Sequence, residues 1–459
     1  MAVALAAVWL LTWKGVPRLW RLAARAIGLR DRPSPLLDRR LRRFRRIRRG
    51  YWSFRLLVTL FVASLFLELL VNGEALAIHY QGKTAFPAVA EWVDRLLPIV
   101  KLTTFEHSSD FGQIGEGEVD YRLFQRWVRD PGVLEQAIRE MDGDIETERA
   151  DAGPAPSADL DPSSTGEFER RRREIALERV ARIEGDAATL RATHRAIDAG
   201  EAWIVMPLYP YGPDDLRLDL PENPPNQPSL ERGVPLGTDT AGRDVLPLML
   251  YGFRISLAFA LAVAAIGYAI GVVVGGIQGY YGGWIDILSQ RFVEIWGSIP
   301  FLFTIMIIAS LVTPSFLMLV VLMVVLQSWL GITYYIRGEF YREKAKDYVQ
   351  AAIGTGVADW KIIVRHILPN SLVPLVTFAP FGIVAYIGAL VSLDYLGYGL
   401  PPGTPSWGTL LRQGLDNVRF YPHLTIIPTV ALAATLYAVV MIGEAVREAF
   451  DPKVFSRLR

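Results

Sequence analysis

Residues 347–370 read DYVQAAIGTGVADWKIIVRHILPN. Paired alanines, two glycines and a late proline give this stretch the look of a soluble helix–turn–helix, yet the segments on either side are apolar enough to cross a membrane. Asp347 can cap a short helix through Tyr348, Val349, Gln350, Ala351 and Ala352, which Gly354 and Gly356 then end. A second helix is expected to return with Trp360, Ile363 and Ile367 on one face and to stop at Pro369. Two small side chains on an exposed helix let another backbone come close, and the aromatic beside them offers an anchor. The stretch therefore reads as a knob presented to a partner, with an ordinary interfacial loop as the plainer alternative.

The whole chain supports a membrane setting. Its 459 residues are 51% hydrophobic and 21% charged, too apolar for one water-soluble domain and too charged for a chain buried in lipid throughout. Windows near 54–72, 255–277, 297–313, 316–337, 371–393 and 424–443 approach the length a crossing helix needs, which predicts about six spans. Basic residues flank them: RRLRRFRRIRR at 39–49 precedes the first, Lys344, Lys346, Lys361 and Arg365 surround the opening stretch, and Arg447, Lys453, Arg457 and Arg459 follow the last. All three groups fall on one side, which the positive-inside rule makes the cytoplasm. With a net charge of +1, the arginine run is read as a topology signal that also holds lipid headgroups, not as a nucleic-acid site. Residues 1–13 are too short for a span and lack a signal peptide's features, so they read as an interfacial helix or a start-site extension; VPRLWRLAARAI at 16–27 suits a helix on an anionic surface.

Residues 73–250 are far too long for a loop and are expected to form an extracytoplasmic insertion. Leu134, Ile138, Met141 and Ile145 step by helical spacing, as do Val180, Ile183, Ala187, Leu190, His194 and Ile197. The linker AGPAPSADLDPSSTG at 152–166 between them predicts an antiparallel helical hairpin over 132–198. His194 reads as a packing residue, because no second His, Asp or Glu at ligand spacing shares its face. The proline-rich segment 203–235 should be extended, serving either as a docking surface for an extracytoplasmic partner or as a lid on the protein's own loops.

Within the spans, Gly267, Gly271 and Gly275 recur at four-residue spacing, leaving bare backbone against which another helix should pack closely. Pro380 and Gly382 suggest a bent helix lining a pathway, or equally a kinked packing helix. Glu68 is expected near the outer end of the first span, reaching to the interface. The chain has no cysteine, and its five histidines make no ligand spacing; no phosphate loop, zinc helix or nucleophile elbow is present. No catalytic or metal site is therefore predicted, and any transport against a gradient must draw on a motor in another chain.

The opening stretch resembles the cytoplasmic coupling loop of ATP-binding-cassette importer permeases, with Gln350, Ala351, Ala352, Gly356, Leu368 and Pro369 at that loop's spacing. Gln350 replaces an acid and His366 an isoleucine of the pattern. LGTDTAGRDVLPLMLYGFRIS at 236–256, GYYGGWIDILSQRFVEIWGSIP at 279–300, SLDYLGYGLPPGTPSWGTLL at 392–411 and GEAVREAFDP at 443–452 are similar to the dipeptide and oligopeptide branch, although Pro247 and Leu248 stand where many relatives carry Ser-Arg. FPAV near 86 and SSDFG at 108–112 look most like a sub-branch handling microcin-C-like peptides and oligopeptides. The resemblance implies an all-α polytopic protein of the type I importer permease fold, with coupling loop 338–370 inside a permease core over 251–446. It also implies a second permease, two cytoplasmic ATPases that carry the ATP and Mg, an extracytoplasmic binding protein and a peptide substrate. Residues 347–360 would then sit in a cleft of one ATPase. A motif-less membrane enzyme, and a scaffold or receptor binding an outer ligand through residues 74–250, remain open alternatives on the sequence alone.

Overall fold

The structure is a computed structural model, and it describes residues 35–96, 107–115, 117–152 and 164–450. The expectations for residues 1–13, 16–27, most of the 152–166 linker and the basic residues beyond 450 lie outside the described residues. Residues 66–212 form one compact unit, and the remaining described residues form the other. The boundary at 212 differs from the expected 250, because residues 213–244 pack with the membrane helices.

Helices α1 (Pro35–Arg46) and α2 (Arg48–Ser64) open the described chain. α2 starts inside the arginine run and, at 17 residues, ends before the predicted 54–72 window does. In the unit 66–212, α3 (Leu67–Leu70) packs on α4 (Pro87–Leu96), with Phe66 stacked on Trp92 at 5.6 Å. Glu68 lies in this separate turn and is buried, 2% exposed, so it does not reach an interface as expected. The insertion is not wholly helical. Strands β1 (Ala77–Tyr80), β2 (Lys83–Ala85) and β3 (Ala202–Val205) form an antiparallel sheet in the order β2-β1-β3, with Ile78 opposite both Ala85 and Ile204.

Helix α5 (Tyr121–Arg129), capped by the Asp120 carboxylate, leads into α6 (Pro131–Ala152) and α7 (Ser164–Asp198), which run against each other as a hairpin. The hairpin's base is part of the unit's core: Leu134 and Leu190 join Ile78, Tyr80, Phe111, Phe124 and Trp127. Its far part has a cluster of its own, Ile145, Val180 and Ala187. His194 has acidic neighbours after all. Glu135 comes onto its face from α6, with Nε2 to Oε1 at 3.4 Å, and Asp198 follows one turn on, with Nδ1 to Oδ2 at 2.9 Å. The first neighbour belongs to the opposite helix, where spacing along α7 cannot reveal it.

The second unit resumes in a stretch pinned by Arg217, whose guanidinium, 2% exposed, bonds Asp219 at 2.9 Å and the carbonyls of Gly233 and Arg232 at 2.9 and 3.0 Å. Asp244 then caps α8 (Val245–Tyr281) through the amide of Leu246. Next come α9 (Gly283–Gly297), α10 (Phe301–Leu311), α11 (Phe316–Met323), a π-helical turn (Val324–Ser328) and α12 (Leu330–Lys344). The knob holds the short helices α13 (Asp347–Gly354), α14 (Asp359–Lys361) and α15 (Leu368–Ser371), and after it follow α16 (Val373–Leu396), α17 (Trp407–Asp416) and α18 (His423–Phe450). Among the described residues α8, α16 and α18 are each long and apolar enough to cross a membrane, and two bent pairs, α9 with α10 (62°) and α11 through its π turn with α12 (46°), are so jointly. The sixth expected span corresponds to the shorter α2. These helices share one core that includes Leu248, Phe259, Val263, Leu319, Met323, Ile387, Leu390 and Trp407.

Candidate functional site between two spans

Helix α13 (Asp347–Gly354) follows α12 after two residues. Lys346, not Asp347, holds the cap position; Asp347 sits in the first turn and its charge favours the helix N-terminus there. Gly356, at φ +75°, ends the helix in the left-handed conformation, with the amides of Gly356 and Val357 bonding back to the carbonyls of Ile353 and Ala352 at 3.0 and 3.1 Å. The return arm is irregular: α14 (Asp359–Lys361), a π-helical turn (Ile362–Ile367) and α15 (Leu368–Ser371). Pro369 does not stop the helix as expected. The preceding π turn moves the carbonyls that a proline ring would strike, so the chain continues.

Val349, Ala352, Ile362 and Ile367 are buried against Ile332, Ile336 and Phe340 of α12 and Tyr280 of α8. Burial of such side chains stabilises by about 1.5–3 kcal/mol each for the larger ones. Ala352 therefore serves the knob's own core, whereas Ala351, Gln350, Ile353, Gly354, Thr355 and Gly356 are exposed. Trp360, placed by spacing with the buried Ile367, is instead 64% exposed, because the π turn breaks the 3.6-residue phase between them. The exposed face is thus mostly of small residues at 351 and 354–356, with Gln350, Ile353 and the Trp360 indole as its larger side chains.

Polar contacts hold the knob to the helices. The Glu343 carboxylate of α12, 2% exposed, accepts from Lys346 Nζ at 2.6 Å and from Tyr348 Oη at 2.8 Å. Asn370 Nδ2 donates to Tyr348 Oη at 3.0 Å. On the other arm Tyr280 Oη donates to Asp359 Oδ1 at 2.6 Å. Burial, and then the bond to the Glu343 carboxylate, raise the Tyr348 pKa, which keeps its hydroxyl a donor. Sequence reasoning named Tyr348 but missed Glu343, Tyr280 and Asp359; Asp359 and Tyr280 are 79 positions apart.

The glycine stripe of α8 lies on α12 and the π turn before it. A Cβ on Gly267 would fall 1.9 Å from Ser328 Oγ, on Gly271 1.8 Å from Ile332 Cγ2, and on Gly275 2.5 Å from the Thr333 carbonyl. Gly279 extends the stripe, with Arg337 O at 2.6 Å. Gly382 meets the Tyr268 hydroxyl at 1.8 Å in the same sense, and Pro380 packs on Gly443 of α18. Pro380 and Gly382 thus sit in tight helix contacts. Two of the motif segments also meet: Arg243 Nη1 donates to the Gly403 carbonyl at 2.9 Å, and Trp407 Nε1 to that of Met249 at 3.0 Å. Pro247 falls in the first turn of α8, where a proline is tolerated.

The family described as the binding-protein-dependent transport system inner membrane component matches residues 267–456. The peptidoglycan transport system permease protein YejE of Agrobacterium fabrum is 33% identical over 421 residues, which cover 92% of this chain and 94% of that one. The inner membrane ABC transporter permease protein YejE of Escherichia coli K12 is 33% identical over 422 residues, covering 92% and 98%. The chain belongs to this family of ABC importer permeases. A shorter likeness, 37% over 226 residues, covers 49% of the permease and 72% of the oligopeptide transport system permease protein OppC of Haemophilus influenzae. The permease is a transport subunit and not itself a catalyst. Its departure at Gln350 has a structural use: Nε2 donates to the Lys344 carbonyl at 2.8 Å, capping the end of α12, which a carboxylate could not do.

Proposed function

We propose that this chain forms, with a second permease, the membrane pathway of an ATP-driven importer for peptides. Two cytoplasmic ATPases hold the ATP and Mg, an extracytoplasmic binding protein delivers the substrate, and both termini of this chain face the cytoplasm of a bacterial inner membrane. The observation that carries the reading is the knob: an exposed face rich in small residues at 350–356, set between two spans and bonded to the stripe-packed helices α8 and α12. Such a face admits another protein's backbone, and its tight attachment lets a push on it reach the bundle. Asp347, Tyr348, Gln350, Ala351, Ala352, Gly356, Leu368 and Pro369 form or support it; Pro380 and Gly382 belong to the helix proposed to border the pathway. Peptide chemistry is what the relatives named for oligopeptide and peptidoglycan transport have in common. Microcin-C-like peptides fall in the same class.

The test is uptake by cells lacking this chain and re-supplied with it. Radiolabelled oligopeptides should enter with the wild-type chain and at least about tenfold more slowly with Gly356→Trp, which places an indole on the docking face and strains a left-handed residue. Equal uptake with the variant contradicts the coupling role, and uptake without the chain contradicts the transport role.

A further inference from the structure

A knob transmits movement only if it cannot slide on the helices it is meant to move, and apolar contact alone gives no direction-specific hold. The knob of this permease is fastened on each arm by a hydroxyl–carboxylate bond to a different long helix. On the first arm Tyr348 Oη donates to Glu343 of α12 at 2.8 Å, and on the second Asp359 accepts from Tyr280 of α8 at 2.6 Å. Lys344 Nζ of α12 donates to the Tyr280 carbonyl at 2.5 Å, closing a polar link between the two helices next to the knob. At the stripe the bare backbone of α8 lies directly on the Thr333 and Arg337 carbonyls and on the Ile332 and Phe340 side chains of α12, with no side chain of α8 between them. Lys346 Nζ lies 2.6 Å from the Glu343 carboxylate, which is nearly enclosed, and favours its charged, accepting form. Hydrogen bonds to ionised groups are the stronger class.

We propose that Tyr348 and Tyr280 are positioning residues that make the knob, α8 and α12 move as one body, so that loss of either hydroxyl lowers the peptide carried per ATP without releasing the knob from its partner. This rests on the coupling role given under the proposed function. Each tyrosine acts through its carboxylate, and neither touches ATP or peptide. A device that only stabilised the fold would change the amount of intact complex and leave its stoichiometry of transport alone; a transmission device changes the stoichiometry.

The experiment uses the whole complex in liposomes, with a pool of radiolabelled tri- to hexapeptides, and measures ATP hydrolysis and uptake in the same sample. Tyr348→Phe and Tyr280→Phe each remove one oxygen and keep the ring. Both variants are expected to retain the ATPases and near wild-type hydrolysis while peptide carried per ATP falls about tenfold, the factor set by one charge-assisted hydrogen bond. Glu343→Gln, which still accepts from Tyr348, should fall less than Tyr348→Phe. Tyr437→Phe, on the exposed face of α18, is the control and should match the wild type. Unchanged peptide per ATP in either tyrosine variant overturns the proposal, as does loss of the ATPases from them, which would mean the bonds merely shape the docking face. A wild-type complex that holds no ATPase or carries no peptide fails earlier, and overturns both this inference and the function on which it rests.

Discussion

At the scale of single residues, the glycines separate into two physical kinds. Gly356 is at φ +75° with nothing within 4 Å of an added Cβ, so Gly356→Ala should lower stability only by the strain of a left-handed alanine, about 1 kcal/mol. Gly271 is helical, but its Cβ would lie 1.8 Å from Ile332 Cγ2 and 2.8 Å from the Trp329 carbonyl. Gly271→Ala should therefore cost more, on the order of 3 kcal/mol from overpacking and helix separation. Thermal unfolding of the solubilised protein checks the order, and a Gly356 variant less stable than the Gly271 variant would contradict it. The sequence showed both glycines, one by its place after a short amphipathic run and the others by four-residue spacing, because each is a property of one local segment. It did not show Glu343 as the acceptor for Tyr348, since Glu343 reads as one more charge in a mixed stretch until α13 folds back over it. The expected common face of Trp360 and Ile367 is lost for a related reason, as a π turn changes the phase of a helix without leaving a clear local sign.

At the scale of elements, breaks in the helices are matched by side chains that occupy the freed carbonyls. In lipid an unpaired carbonyl has no water to turn to. The π turn Val324–Ser328 accordingly receives Trp296 Nε1 at 2.8 Å and Trp329 Nε1 at 3.1 Å on the Val325 carbonyl, and Tyr386 Oη at 3.2 Å on the Ser328 carbonyl. Trp296 comes from α9, so the bond also joins the two bent pairs. Trp296→Phe alone should have a small effect because Trp329 still serves the same oxygen. The double variant Trp296→Phe with Trp329→Phe should lose more than the sum of the singles, by about 1–3 kcal/mol, as the carbonyl is left unpaired. Strictly additive losses in thermal unfolding would contradict this. Hydropathy located the helices concerned, but not the bends, and two of the side chains that serve the π turn come from 29 and 58 residues away. The three short strands were hidden likewise: Ala77–Tyr80 and Lys83–Ala85 are too brief for an alternating pattern, and their third partner lies beyond the hairpin.

At the scale of the whole molecule, the chain is a helical permease unit interrupted by an independent unit of residues 66–212. The interruption is legible in the sequence as a long segment of low hydrophobicity between apolar windows. Its end is not, because residues 213–244 are polar and proline-rich yet are held to the permease unit by Arg217, Asp244 and Arg243, contacts that only the folded chain brings together. The permease unit in turn presents one exposed, small-residue face, and the central claim is that an ATPase grips it. The chain has no cysteine, so a single thiol can be placed there without interference. The most direct measurement is cross-linking of Ala351→Cys, on the exposed face of α13, with a short bifunctional reagent in native membranes, followed by identification of what is joined. A covalent product with an ABC ATPase, whose yield changes when ATP is added, is the predicted result. A thiol at residue 351 that reacts freely with a soluble maleimide but never joins an ATPase would contradict the claim.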